Sequence, residues 1–359
     1  MIASAKNTQN LKRNKAFYAN LFALPLVISQ SIDEIEKDSP ASCRPLVGGQ
    51  AVMDGVMMRN GDVYGLAVRR QDSTIVGCLR KWVSILNYPL LRLPFIRGFP
   101  VLLETLYNGI GALNQSATIS TSDPNEKLSS FQLVISMIVA VVMAAALFVV
   151  APHFLSLVMH WLSIGADVEG LSFHLWDGFF KVSIFLGYLW LIARLPEIKA
   201  VLAYHGAEHK SIHAFEKADL VSAETASHMS RLHPRCGTTF LLFVITLSII
   251  VHALAIPIVI YYIDTPVEIW KHLLTLLIKI FLIIPISAVS YELIRHAAKV
   301  TCGWQKVLWQ TPGLILQKIT TIEPNLSQLE VAVVALYLAL DADDRQRVQA
   351  VPFTETDAA

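Results

Sequence analysis

His205 and His209 stand four residues apart with Glu208 beside them, in the pentapeptide His205-Gly206-Ala207-Glu208-His209. On a helix, positions i and i+4 lie one turn apart on the same face, so both imidazoles can reach one cation while the carboxylate projects next to them. The chemistry this offers is metal-assisted hydrolysis: two neutral imidazoles hold a divalent ion such as zinc, the ion acidifies a water, and Glu208 takes the proton as general base. The competing reading is a buried histidine pair satisfied by hydrogen bonds, with no ion at all.

The residue order H-x-x-E-H is that of the inverzincin motif, and a catalytic zinc needs a third protein ligand. His213, one turn further on, and His228, His233 and Cys236 are the local candidates. Glu292 is a distant one, because inverzincins draw a Glu from well downstream. In His233-Pro234-Arg235-Cys236-Gly237 the His and Cys could complete a site with His205 and His209. The same five residues also read as a plain interfacial turn, punctuated by Pro and Gly with Arg at the lipid headgroups. The expected site is therefore Glu208 as base, with metal ligands drawn from His205, His209, His233, Cys236 and Glu292.

These residues need a helix to hold them. Pro196 and Glu197 supply its start, since Pro suits the first helical position and an acid the first turn. Ile198, Val201, Leu202, His205, Glu208, His209, Ile212 and Phe215 then recur at steps of three or four. The motif thus falls on the apolar stripe, with Lys199, Lys210 and Lys217 largely elsewhere.

The helix sits between long apolar runs. Hydrophobic residues make up 54% of the 359 and charged ones 16%, well under the quarter usual in globular chains, which places this chain with membrane proteins. Four stretches approach the length needed to span: Phe131 to Val150, Trp176 to Ala193, Phe240 to Tyr262 and His272 to Ser290. Asp177 and Lys181 are an i,i+4 pair in the second. His252 in the third and Lys279 in the fourth are functional suspects by position; a packed neutral His is the plainer reading of the first, whereas Lys279 lies deep from either end and is expected to snorkel outward or to pair with a carboxylate. No Lys or Arg lies between Lys127 and Lys181 or between Arg235 and Lys271, whereas Arg194, Lys199, Lys210, Lys217, Arg231 and Arg235 crowd one loop. The positive-inside rule then puts that loop and both termini on the cytoplasmic side of the membrane. The four cysteines fall on that side without a C-x-x-C pair, as reduced thiols would. A net charge of +1 gives no field that favours nucleic acid.

The fold class expected is a mainly α membrane protein, four transmembrane helices with a small α+β N-terminal cytoplasmic domain. Residues 1–43 read as a weakly ordered extension. Residues 44–125 read as the α+β domain, with strands near Val47–Met53, Gly65–Val68 and Thr74–Val76 and an amphipathic helix from Phe99 to Ala117. The glycine-rich Gly48–Gly55 stretch matches no phosphate-binding loop and is read as tight backbone. Residues 126–300 form the membrane domain with the 194–237 loop, and 301–342 a helical tail in which Ser327 and Glu330 suggest a capping box. Residues 343–359 are expected to fray.

Several stretches, in one order, resemble the YqhQ-like family of bacterial membrane proteins, a domain of unknown function whose members are sometimes described as predicted metal-dependent enzymes. They are Gly48 through Arg59, Pro94-Phe95-Ile96-Arg97-Gly98, Tyr204 through Lys210, Arg231 through Gly237, Tyr291-Glu292, Pro312-Gly313-Leu314 with Gln317, and Thr320 through Pro324. The resemblance covers about 44–340. It implies His205, Glu208, His209, His233, Arg235, Cys236 and Glu292 as site candidates and ranks His213 below them. It implies no substrate. Two readings stay open: a metal-dependent hydrolase acting on a lipid-linked or membrane-associated substrate, and a non-catalytic scaffold tied by a structural histidine or zinc cluster. Membrane lipid, a homo-oligomer or a membrane partner are the expected associations. A transporter using Lys279 and His252 is a weaker third.

Overall fold

The computed structural model describes residues 44–86, 88–121, 130–263, 267–300 and 303–356. The expected extension at 1–43, with Cys43, and Cys302 lie outside them.

The chain opens with four strands in an antiparallel meander: β1 (Gly48–Val52), β2 (Gly55–Asn60), β3 (Val63–Arg69) and β4 (Ile75–Lys81). Three tight turns connect them. Asp54, Gly61 and Ser73, one at each turn, hold positive φ, a conformation that Gly, Asn and Asp tolerate best. β2, which the glycine-rich reading passed over, is the second strand of the sheet and pairs with β1 in a register that sets Gly49 opposite Met58.

Helices follow: α1 (Gly98–Thr121); α2 (Ser130–Ala145), which runs through a π turn (Ala146–Val150) into α3 (Ala151–Trp161); α4 (Leu171–Ile192); and α5 (Pro196–Lys217). Pro152 explains the π turn, because its ring cannot fit a regular turn and it donates no hydrogen bond. Then come α6 (Ala223–Ser227), α7 (Gly237–Tyr262), α8 (Glu268–Lys299), α9 (Gly303–Thr320), α10 (Leu326–Ala339) and α11 (Ala342–Arg345). Four helical stretches are long and apolar enough to cross a membrane: Val134–Trp161, α4, α7 and α8. They exceed the apolar runs read from the sequence, and the first connection shrinks to the residues after Trp161. Their outward faces stay apolar, with Leu254 at 64%, Leu277 at 65% and Phe281 at 69% exposure.

The soluble part is not the contiguous 44–125 unit expected. One face of the sheet carries Val52, Met57, Leu66, Val68 and Trp82 and packs on α1 through Ala112. The other face, with Val56, Met58 and Ala67, is covered by α10, more than 250 residues later in sequence. α10 also packs on α5, so it is the wedge between the sheet and the motif helix. Its cap is Asn325, which forms the capping box with Gln328; Pro324 lies just ahead, and the helix therefore starts earlier than the Ser327–Glu330 pair suggested. Ser327 instead bonds the Asn325 side chain, and Glu330 accepts from Arg69 at 2.7 Å.

The tail does not fray from 343 on. Val348 is buried, Val221 and Val348 bridge, and β5 (Thr354–Glu355) adds a parallel strand to the β4 edge. Apolar residues between the acids make the difference, Val348, Val351 and Phe353 all packing on the core.

Candidate functional site

α5 begins as read, with Leu195 as N-cap, Pro196 in the first turn and Glu197 beside it. It is not amphipathic. From Ala203 to Phe215 every residue is buried except His205, which is half-buried. Lys210, expected among the solvent-facing lysines, is buried; it donates to the Ser227 carbonyl and pairs with Glu323. A helix enclosed on all sides must satisfy its polar side chains internally.

It does so through two irregular segments. Residues 230–236 cross one side of the helix, and the stretch after α9 crosses another. His205 Nδ1 bonds the Thr320 carbonyl at 2.7 Å, His209 Nδ1 the Arg231 carbonyl at 2.6 Å, and His213 Nδ1 the Ser230 carbonyl at 2.8 Å. A carbonyl only accepts, so each Nδ1 carries the proton and each Nε2 is left with its lone pair. This second bond is the one that metal-ligating histidines characteristically make.

The two segments are themselves fixed. Gln317 clamps His233, its Oε1 accepting from the His233 N–H at 2.7 Å and its amide donating to the His233 carbonyl at 2.8 Å. Arg231 reaches the Thr321 hydroxyl at 2.6 Å. Gly206 lets the second segment approach: a Cβ there would collide with the Ile322 carbonyl and come within 3.2 Å of Pro324. Gly49 does the same for Glu208, since a Cβ on β1 would fall 2.8 Å from Glu208 Cγ. The glycines of both motifs therefore admit close approach of backbone and side chain at the site.

Three donors converge. One atom each from His205, His209 and Cys236 lies within 4.8 Å of the others. His205 Nε2 is 3.2 Å from Cys236 Sγ, and the two imidazole centroids are 4.5 Å apart. His209 Nε2 is buried with no hydrogen-bond partner. Cys236 sits at the N-cap of α7, where Thr238 N–H points at its sulfur from 3.4 Å. A second trio, His213, Glu216 and His233, adjoins the first, with His209 and His233 ring centroids 5.7 Å apart. Here Glu216 already holds Arg235, and His233 Nε2 is 3.5 Å from Glu216.

Burial sets the protonation. It pushes Glu208 up to about 8, with His205 opposing and Cys236 reinforcing, and it drives His209 and His213 down to about 4. At neutral pH the site thus holds a protonated Glu208 and neutral His209 and His213. Glu208 Oε2 has no hydrogen-bond partner.

Of the expected residues, the fold brings His205, Glu208, His209, His233 and Cys236 into one region. Glu292 is not brought there: both its oxygens take the Arg97 guanidinium at 2.7 Å, locking α1 onto α8. The structure thus does not bring the long-range Glu expected from the inverzincin pattern to the motif, and Cys236 is the residue that lies beside His205 and His209. His228 is exposed at the end of α6. The structure adds His213, Glu216, Gln317 and Thr320 to this region; the repeat at 205, 209 and 213 is the sequence signal for the first, and Gln317 and Thr320 lie in stretches that carry the family resemblance.

The family described as a protein of unknown function, DUF1385, matches residues 93–342. The chain is similar to the uncharacterized protein YqhQ of Bacillus subtilis (strain 168), 32% identical over 306 residues that cover 80% of this chain and 90% of that protein. No solved structure matches. With the motif helix, the 230–237 segment and α9 all inside the matched region, the chain belongs to the DUF1385 family.

Proposed function

We propose that the chain is a four-span inner-membrane protein that binds a zinc ion at the cytoplasmic membrane edge through His205, His209 and Cys236. The observation that carries this is the pair of imidazoles tied by Nδ1 to backbone carbonyls, with the buried Nε2 of His209 lacking any protein partner beside a thiol. Two imidazoles and one sulfur are a zinc donor set, and three protein ligands leave the fourth position that a catalytic zinc needs open. Four apolar helices with apolar outer faces, and lysines and arginines gathered on the 194–235 side, support the membrane setting and its orientation.

Within this reading the protein is a metal-dependent hydrolase of a lipid-linked or membrane-associated substrate. A bound zinc ion supplies Lewis-acid chemistry. The chain's own residues do the rest. The Thr320 and Arg231 carbonyls fix the imidazole orientation. Glu208, kept dry against Gly49, holds a transferable proton at its carboxyl group beside the donors. His233 and Arg235, joined through Glu216, keep the segment ahead of Cys236 in place.

The second reading, a structural zinc that ties the 194–237 loop to α7 and α9, is favoured by the low exposure of Glu208, 5%. Elemental analysis of detergent-purified protein tests the common element: about one zinc per chain, lost in His209→Ala and in Cys236→Ser but kept in Glu292→Gln. Stoichiometric zinc in the first two variants, or none in the wild type, would refute the site. If Glu208→Gln keeps zinc and abundance but loses the ability to complement a deletion, the hydrolase reading stands; full complementation leaves the scaffold.

A further inference from the structure

The bundle of apolar helices has a polar interior unconnected with the histidine site. Asp177 and Lys181 on α4, Lys279 on α8, His153 on α3 and His252 on α7 are all buried, Lys279 completely. Lys279 Nζ donates to Asp177 Oδ1 at 2.6 Å and to His153 Nδ1 at 3.3 Å. Lys181 Nζ lies 3.3 Å from Asp177 Oδ2, 3.4 Å from His252 Nδ1 and 3.5 Å from Ser248 Oγ. Lys279 is about 16 Å along α8 from Glu268, near the middle of a hydrocarbon layer ~30 Å thick. It does not snorkel.

The charges do not balance. Two ammonium groups share one carboxylate, so with every group in its ordinary state the cluster carries an excess positive charge where uncompensated charge is most costly. Releasing one proton removes that excess, which makes the cluster a store for one exchangeable proton.

An exit is built in. His153 Nδ1 accepts from Lys279, so its Nε2 carries the hydrogen and points at His272 Nδ1, 3.3 Å away. His272 Nε2 then carries a hydrogen and faces Asp167 Oδ1 at 3.9 Å, an oxygen with no hydrogen-bond partner. Asp167 uses its other oxygen for Lys271, at the surface of the connection ahead of α4. Every donor in the row points the same way, away from the histidine site. The titratable groups facing Lys279 are His153 from α3, His174, Asp177 and Lys181 from α4, His252 from α7, and Lys271 and His272 further along its own helix.

We propose that the four helices hold a one-sided proton relay, Lys279–His153–His272–Asp167, which exchanges one proton between the membrane interior and the face opposite the histidine site. In the outward step Lys279 gives a proton to His153 Nδ1, His153 Nε2–H passes to His272 Nδ1, and His272 Nε2–H leaves towards the two carboxylates that face it, Asp167 at 3.9 Å and the exposed Glu268 at 4.0 Å, a span that one bridging water closes on the way to solvent. Lys279 ends as a neutral amine paired with Asp177 and Lys181, and both histidines end neutral in the opposite tautomer. Among the described residues the hydrogen-bonded row ends at Lys181, His252 and Ser248, short of the other face, so it stores and returns a proton and does not conduct.

The relay rests on the four-span reading. Full-length protein reconstituted in liposomes is first floated, and a chain that stays at the bottom of the gradient removes both proposals. The floated proteoliposomes are then adsorbed on a solid-supported membrane and given a pH step. The expected record is a transient charge displacement with no steady current. Lys279→Met leaves the balanced Asp177–Lys181 pair, so it should fold and float, and its transient should fall to that of protein-free liposomes. His153→Phe fills the same volume without a proton carrier and should abolish the transient while Lys279 and Asp177 remain. A wild-type record equal to empty liposomes, an unchanged transient in Lys279→Met, or an unchanged one in His153→Phe would each overturn the relay. A steady current would overturn its one-sidedness and indicate a through channel.

Discussion

Replacing Glu208 by glutamine should flatten the pH dependence of stability in the metal-free protein. Burial favours the neutral acid of Glu208 and raises it from 4.5 to about 8. In the unfolded chain the carboxyl ionises freely. The contribution of Glu208 to stability is therefore fully present below about pH 4.5 and is lost as pH rises towards about 8. At about 1.4 kcal/mol per tenfold change in proton activity, that interval is worth roughly 5 kcal/mol, and water entering the pocket on ionisation lowers the figure, so we expect about 2–5 kcal/mol. Glutamine stays neutral throughout. It brings a pH-independent cost of about 1–3 kcal/mol for an amide without partners. His209 and His213, held neutral down to about 4, act with the opposite sign: their contribution is present above about 6.5 and is lost as pH falls through about 4. Both proteins share that term, so it cancels in the difference. The assay is unfolding of chelator-treated protein in detergent at about pH 4.5, 6 and 8.5, wild type beside Glu208→Gln. The variant should gain about 2–5 kcal/mol on the wild type between the first and last pH. Parallel curves would show that Glu208 is solvated and charged, and the account of the pocket would fail. Added zinc should shrink the wild-type slope, because a divalent charge next to the carboxyl pulls its pKa back down.

Gly206→Ala should destabilise despite the better helix propensity of alanine. Propensity offers about 1 kcal/mol, whereas the new methyl meets the Ile322 backbone, which cannot rotate away, at about 1–3 kcal/mol. Zinc affinity should fall with it, because the displaced segment carries the Thr320 carbonyl that orients His205; unchanged melting and unchanged affinity would refute the close approach. A reporter fused after Glu216 should read as cytoplasmic and one placed within 160–170 as periplasmic. The reverse pattern would invert the topology and move the histidine site to the outside.

Much of this protein is determined locally. The length and apolarity of the four helices, the start of α5 at Pro196 and the strands at Gly65–Val68 and Thr74–Val76 depend on neighbours a few residues away, and the sequence carries those signals directly. So does the pairing of His205 with His209, a consequence of helical pitch alone. The tertiary structure decided what depends on contacts across hundreds of residues. The apolar face of α10 predicts burial without naming a partner, and only folding places it between the sheet and α5. α5 carries a stripe pattern, yet its polar face is buried too, because Lys210 finds Ser227 and Glu323 and His213 finds the Ser230 carbonyl. Glu292, His233 and Cys236 stand as alternative third donors in sequence; the Arg97 guanidinium claims Glu292, Glu216 faces His233, and the N-cap of α7 sets Cys236 beside His205 and His209. Lys279 read alone is an oddity in an apolar run. Set beside Asp177, Lys181 and His153 from two other helices, it becomes part of a hydrogen-bonded row, since a charge buried in a low-dielectric interior is stable only where the fold supplies its partners.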